Sequence, residues 1–201
     1  ARALLAAAEV PIAAPSANRF QGISPTTAAH VARSLGDEDL LILDGGPTSV
    51  GIESTVLDLC GPRPLLLRPG GLPLPALEAV LGPLERAEAI ADGVARASPG
   101  MVDRHYAPGG TVHLLPMVAL AELATEVPLP APVGALLIHG AVPGRVEHVL
   151  HMPDDPGEYG RTLYAALHTL DELGCATILI EAVPDEPAWE AIADRLSRAA
   201  R

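Results

Sequence analysis

The sequence predicts an α/β protein in two parts joined by a linker. Three observations carry that reading. Residues 111–201 alternate strand-like and helix-like segments, the pattern of a mostly parallel sheet covered by helices. Apolar residues make up 49% of the 201-residue chain, enough for a packed core, which excludes a disordered or collagen-like chain. Short strands separated by Gly/Pro turns fill residues 1–82, and a second turn-rich stretch, 83–110, stands before the alternating part.

The elements follow in order from local chemistry. Arg2 to Glu9 is helix-like and stops at Val10-Pro11, since proline cannot continue a helix. Ile12 to Ala14 reads as a short buried strand, followed by the turn-rich Pro15-Ser16-Ala17-Asn18. Ser24 as N-cap and Pro25 at the first helical position start a helix over Thr26 to Leu35, with Gly36 as its stop. Leu40 to Leu43 reads as a buried strand ending at Asp44. After a glycine loop, Thr55 to Leu59 and Pro64 to Leu67 read as strands around a Gly61-Pro62 turn, and Leu77 to Leu81 as a short helix closed by Gly82.

Residues 83–110 have weak periodicity and read as an ordered linker containing Ser98-Pro99-Gly100-Met101 and Arg104-His105-Tyr106-Ala107-Pro108. Beyond it, strands are expected at Thr111 to Leu115, Val133 to His139, Val146 to Met152 and Ala176 to Glu181. Helices are expected at Met117 to Glu126, Asp155 to Leu173 and Glu186 to Ala200. In the middle helix Leu163, Leu167, Leu170 and Leu173 form one apolar stripe with Tyr164 beside it.

Composition then limits function. The formal net charge is −12 and no basic run occurs, which makes the chain a poor non-specific binder of nucleic acid. All 13 basic residues are arginine, so a P-loop lysine, a Schiff base and a Ser-Lys dyad are excluded within this chain. Cys60 and Cys175 form no C-x-x-C pair and fit a reduced, cytoplasmic protein. No apolar run is long enough to span a membrane. Gly46 and Gly51 have P-loop spacing, but Ile52 and Glu53 stand where Lys and Ser/Thr are required. His148 and His151 lie three apart in a strand and face opposite sides, so no metal site is expected there or elsewhere. The chain starts inside a helix-like stretch at Ala1, which suggests a fragment of a longer protein.

What remains is a set of small polar residues at loop and strand ends. Ser16 and Asn18 are two apart and would share one side of an extended segment. Ser24 opens a helix, where free N–H groups favour a phosphate. Ser54 and Thr55 follow the glycine loop, and Arg68 ends an apolar strand where it can clamp phosphate or carboxylate. Together they support an anion site. Each also has a plainer reading, as turn former, cap or surface residue.

These stretches resemble a known family. Pro11-Ile-Ala-Ala-Pro-Ser-Ala-Asn18, Gly22-Ile-Ser-Pro-Thr-Thr-Ala28, Leu43-Asp-Gly-Gly-Pro47, Val50-Gly-Ile-Glu-Ser-Thr-Val56 and Leu67-Arg-Pro-Gly-Gly71 are similar to the YrdC-like threonylcarbamoyl-AMP synthases. Ser98-Pro-Gly-Met101 with His105-Tyr-Ala-Pro108 resembles the linker of the long, two-domain form. Leu163-Tyr164, Leu170-Asp171, Asp194-Arg-Leu and Ala199-Ala200 resemble its C-terminal domain. The implied architecture is a partial YrdC-like twisted-sheet α/β domain over 1–82, a linker or lid over 83–110 and a small Rossmann-like α/β domain over 111–201.

The resemblance implies a reaction in which L-threonine, bicarbonate and ATP give threonylcarbamoyl-AMP and pyrophosphate. A separate transferase then uses the adenylate to modify tRNA, and direct tRNA binding by this chain is not expected. Carried over by motif, Ser16 and Asn18 would be catalytic, and Ser16, Ser24, Arg68 and Tyr106 would contact ATP. Ala14, through its backbone, and Ser54 would contact threonine, and magnesium would accompany ATP. His105-Tyr106-Ala107-Pro108 would exclude water from the labile adenylate. The sequence departs from the family at Phe20-Gln21-Gly22 and Thr48-Ser49, and it lacks the Lys-x-Arg of the family's first half. The chain alone is therefore expected to turn over little. The alternative reading is a non-catalytic RNA-binding or regulatory YrdC-like module, which the acidic charge and the scarcity of stacking aromatics oppose.

Overall fold

The computed structural model describes residues 1–87, 105–142 and 144–201. Residues 98–101 and Arg104, singled out in the linker, lie outside them. The first part holds α1 (Arg2–Ala8), α2 (Ala28–Leu35), β1 (Val56–Asp58), β2 (Leu65–Arg68), α3 (Leu74–Leu81) and β3 (Glu85–Arg86). β1 and β2 pair antiparallel around the expected Gly61-Pro62 turn, and β3 pairs parallel to β2 inside the stretch read as linker.

The second part runs β4 (Thr111–Leu115), α4 (Met117–Glu126), β5 (Val133–Leu137), β6 (His148–His151), α5 (Pro156–Glu172), β7 (Thr177–Glu181) and α6 (Glu190–Ala199). Its four strands are all parallel in the order β4-β7-β5-β6. This is the mixed α/β fold with a parallel sheet that the alternating pattern predicts. Strand alternation divides the core into two layers. Leu136, Ile178 and Ile180 face α5 and α6, where they meet Leu163, Leu167 and Ile192. Ala135, Leu137 and Leu179 face α4 and pack on Leu120. Asp155 caps α5 by accepting from Glu158 N at 2.9 Å, and Pro156 occupies its first turn.

Three expectations are corrected in the first part. The helix over 26–35 begins two residues later, because Thr27 and not Ser24 is its N-cap and accepts from His30 N at 3.2 Å. The Ser24 hydroxyl is instead turned to Glu53, to which it donates at 2.7 Å. Ile12 to Ala14 and Leu40 to Leu43 are irregular rather than strands, and Leu41 and Leu43 are 88% and 69% exposed. An apolar run reads as a buried strand only where a neighbouring strand satisfies its backbone, and among the described residues none pairs with either run.

The first part rests on the outer face of α5 and α6. Ile23, Ile52 and Tyr106 join the core cluster built from those helices. Gly51 makes the approach possible. Its φ is +89°, and a Cβ there would lie 2.4 Å from both Arg161 Cα and Gly160 O of α5.

Candidate active site

A cavity of about 610 Å³ opens in the first part, bounded by the turn at Ser16, the Ser24–Thr27 segment and the glycine loop ending in Ile52 and Glu53. Ser16 and Ser24 both line it, so two of the residues singled out in the sequence are brought together. Asn18 is turned away into its own bend. Its Nδ2 donates to Arg19 O and to Gly22 O, each at 3.0 Å, so the shared side expected of an extended segment does not form. Ala14 lies in exposed, irregular chain.

Arg68 does not end in solvent as a plain surface reading would have it. Its Nε and Nη2 donate to the Ser54 carbonyl at 3.2 and 3.1 Å, across β1 and β2. Gly71 N donates to Glu53 O at 3.0 Å, and a Cβ on Gly70 would lie 2.3 Å from Thr55 N. The 53–55 backbone is therefore pinned from the side of the Leu67-Arg-Pro-Gly-Gly71 motif. Glycine at 70 is required by that close approach.

Glu53 stands at the back wall of the cavity and is the carboxylate the sequence reading passed over. It accepts from Ser24 Oγ at 2.7 Å, from Tyr164 Oη at 3.0 and 3.2 Å, and from Arg195 Nε at 2.9 Å. Burial alone would raise the Glu53 pKa. The Arg195 charge and the hydrogen bonds from Ser24 and Arg195 together outweigh it, so Glu53 is held below the usual range and stays ionised. Burial likewise opposes the charge of Arg195, and Tyr164, Tyr106, Glu53 and Asp194 around it more than compensate. Tyr164 is pushed up by burial and by the Glu53 charge, which keeps its hydroxyl a donor.

Tyr106 lies behind this cluster, not in the cavity lining. It is 1% exposed, its ring stacks 5.4 Å from that of Tyr164, and Arg195 Cζ lies 5.5 Å from its centroid. The backbone around it is tied to both parts, with His105 N donating to Arg198 O at 3.3 Å and Ala107 N to Gln21 O at 3.1 Å. Burial holds the His105 imidazole pKa below its ordinary value, against the opposing pull of Glu53.

Glu53, Tyr164 and Arg195 are the residues sequence reasoning missed. Arg195 did leave a signal. It falls with Ile192, Leu196 and Ala199 on the buried stripe of α6, where a charge demands a partner. Elsewhere, His30, His168 and Glu172 come within reach of one another across α2 and α5. They do not form a chelate. Thr26 N donates to His30 Nδ1 at 3.2 Å, which places the His30 proton on Nε2, and Glu172 is paired with Arg33.

Residues 73–201 match the family described as "Threonylcarbamoyl-AMP synthase, C-terminal domain", and residues 1–70 match the one described as "Telomere recombination". The chain belongs to the threonylcarbamoyl-AMP synthase family. Similar relatives are the threonylcarbamoyl-AMP synthases of Pyrococcus abyssi, 36% identical over 98% of this chain and 59% of the relative, and Bacillus subtilis, 37% identical over 100% and 60%. A third is that of Schizosaccharomyces pombe, 35% identical over 100% of this chain and 54% of the relative. The crystal structure of P. abyssi Sua5 complexed with L-threonine superimposes with a TM-score of 0.84 at 36% identity, covering 98% of this chain and 60% of that one. The chain thus spans 54–60% of the length of these relatives. The likeness runs through both parts of the chain.

Proposed function

We propose that the protein to which these residues belong is a threonylcarbamoyl-AMP synthase. It would join L-threonine, bicarbonate and ATP into threonylcarbamoyl-AMP with release of pyrophosphate. The observation that carries the reading is the cavity lined by Ser16, Ser24 and Glu53, within a chain 36% identical to a structure complexed with L-threonine. The threonine amine bonds to the carbon of bicarbonate as a C–O bond of bicarbonate breaks and water leaves, giving a carbamate, and a carbamate oxygen attacks the α-phosphorus of ATP as the bond to the departing pyrophosphate breaks. Such a reaction is served mainly by positioning and charge neutralisation.

In this reading Ser16, Ser24 and Arg68 serve the nucleotide side, and Ala14 and Ser54 serve threonine. Asn18 acts by closing the Arg19–Gly22 turn next to Ser16. Tyr106 acts through its packing on Tyr164 and Arg195. Magnesium would enter with the triphosphate as part of the substrate. Among the described residues of the cavity lining the carboxylate is Glu53, already held by three donor side chains, so these residues do not fit a metal-ligand role. We take residues 1–82 as part of the catalytic domain, 83–110 as its connection and 111–201 as the small α/β domain that supports them.

The adenylate would pass to a separate transferase that modifies tRNA, without tRNA binding by this chain, whose net charge is −12. A reducing, cytoplasmic setting is supported by Cys60 and Cys175, both free thiols. No helix among the described residues is long and apolar enough to cross a membrane. The test is pyrophosphate release by the full-length protein given ATP, bicarbonate and magnesium, with and without L-threonine. Release that depends on threonine is the expected result, and release indifferent to threonine overturns the reading.

A further inference from the structure

The cluster around Glu53 joins two regions far apart in sequence. Glu53 lines the cavity just ahead of β1, and Arg195 lies on α6, 142 positions further on. The Arg195 side chain is fully buried, and Glu53 is 21% exposed. One face of the guanidinium region meets Glu53 and Asp194, at 2.9 and 2.7 Å, while the Tyr106 ring lies 5.5 Å from its central carbon. Asp194 in turn holds Arg198 at 2.8 Å, and the Arg198 carbonyl receives the His105 amide. A single arginine therefore fastens the cavity wall and the His105-Tyr106 segment to the same helix.

Stability does not call for such an arrangement. A buried ion pair is on balance no better than well-packed apolar residues of the same volume. Arg195 Nη2 and the Tyr106 hydroxyl are moreover buried without a hydrogen-bond partner, which costs stability. What a charged, directional pair supplies and a leucine does not is one fixed geometry. The opposite side of the 53–55 backbone is already held by Arg68 and Gly71, so fixing Glu53 removes the remaining freedom of this segment toward the cavity.

We propose that Glu53 and Arg195 are a positioning pair, through which α6 of the C-terminal domain sets the cavity wall at Glu53, and with it the adjoining Ser54 backbone, and seats Tyr106 beside it. Neither residue touches the reacting atoms. The inference rests on the activity proposed above for its kinetic consequence, and on the structure alone for its conformational one.

The experiment uses the full-length protein with Glu53→Gln, Arg195→Met, both together, and Arg195→Lys. Three quantities are read, threonine-dependent pyrophosphate release, urea unfolding, and hydrogen exchange at the Ala107 amide, which is bonded to Gln21. Each single variant is expected to lower kcat about 10²-fold, with KM for ATP and threonine moving by less than about threefold. Each is also expected to speed exchange at Ala107. In the double variant no buried charge is left unpaired, so unfolding returns toward wild type while kcat stays low. Arg195→Lys keeps the charge and the fold but not the forked geometry, and is expected to give an intermediate kcat and faster exchange. Recovery of kcat in the double variant would reduce the pair to a folding contact and overturn the proposal. So would wild-type kcat and wild-type exchange in Arg195→Lys. If the unaltered protein shows no threonine-dependent release, the proposed activity fails, and exchange at Ala107 alone decides this inference: faster in the variants supports it, unchanged overturns it.

Discussion

His30 of α2 and His168 of α5 lie face to face, their ring centroids 3.9 Å apart and their planes 28° from parallel. Two imidazoles this close cannot both carry charge without repulsion, and each is further disfavoured as a cation by burial and by the nearby Arg33. Glu172 and Asp171 pull the other way, as does the Ser24 carbonyl that His168 Nε2 meets at 3.2 Å, but the net pKa of both rings is lowered. The stack is one of the seams between the first part and the C-terminal domain.

That seam sets a pH dependence. The folded pKa of His30, His105 and His168 lies below the ordinary value of 6.5. The unfolded chain then binds more protons between the two values, and stability is complete above about pH 6.5 and lost as pH falls through the lowered folded pKa values. Urea midpoints are expected to fall between pH 8 and pH 5. His168→Gln should flatten that slope, and an unchanged slope would show that the pair does not titrate with folding.

Tyr164 donates to both oxygens of Glu53 from a fully packed position. Tyr164→Phe keeps the ring and removes the donor. The expected loss is about 1.5–3 kcal/mol of unfolding free energy, read from urea titration at pH 7.5. A loss below about 0.5 kcal/mol would mean that Ser24 and Arg195 satisfy the carboxylate without it.

Gly51→Ala meets α5 head on. Both the positive φ and the 2.4 Å approach to Gly160 O and Arg161 Cα oppose a methyl group. The backbone term alone is about 1–3 kcal/mol, and α5 cannot move aside without disturbing its own core. Thermal unfolding of the variant should begin at a markedly lower temperature than that of the parent.

Arg68→Met leaves the Ser54 carbonyl without the donors that now orient it. We expect kcat/KM for threonine to fall about tenfold or more in the full-length protein, with a fold unchanged by circular dichroism.

Leu40, Leu41 and Leu43 are 52%, 88% and 69% exposed on one irregular segment. Apolar surface of that kind drives association. The 201-residue chain is expected to elute above its monomer mass of 20.7 kDa, and Leu41→Glu with Leu43→Glu to bring it back toward that mass.

The C-terminal domain was almost fully legible, because its signals are local. The 3.6-residue stripe of Leu163, Leu167 and Leu170 and the Asp155-Pro156 start specify α5 without reference to anything distant. The first part was not, because its apolar runs report burial without saying against what. Leu40 to Leu43 has the composition of an inner strand and no ladder to join among the described residues. The site was half legible for the same reason. Ser16, Ser24, Ser54 and Arg68 stand in recognisable motifs, whereas Glu53, Tyr164 and Arg195 acquire their meaning only when 111 to 142 residues of intervening chain bring them together.

The sheet order β4-β7-β5-β6 has a consequence for how the molecule is made. β7 is the last strand in sequence, yet it lies between β4 and β5 and supplies the ladder for both. A chain emerging from the ribosome must hold β4 unpaired and one edge of β5 open until Thr177–Glu181 has been synthesised, with the aggregation hazard that open edges bring. Arg195 arrives later still. A translation product interrupted before Arg195 therefore lacks the guanidinium that pairs with Glu53 across 142 positions of sequence.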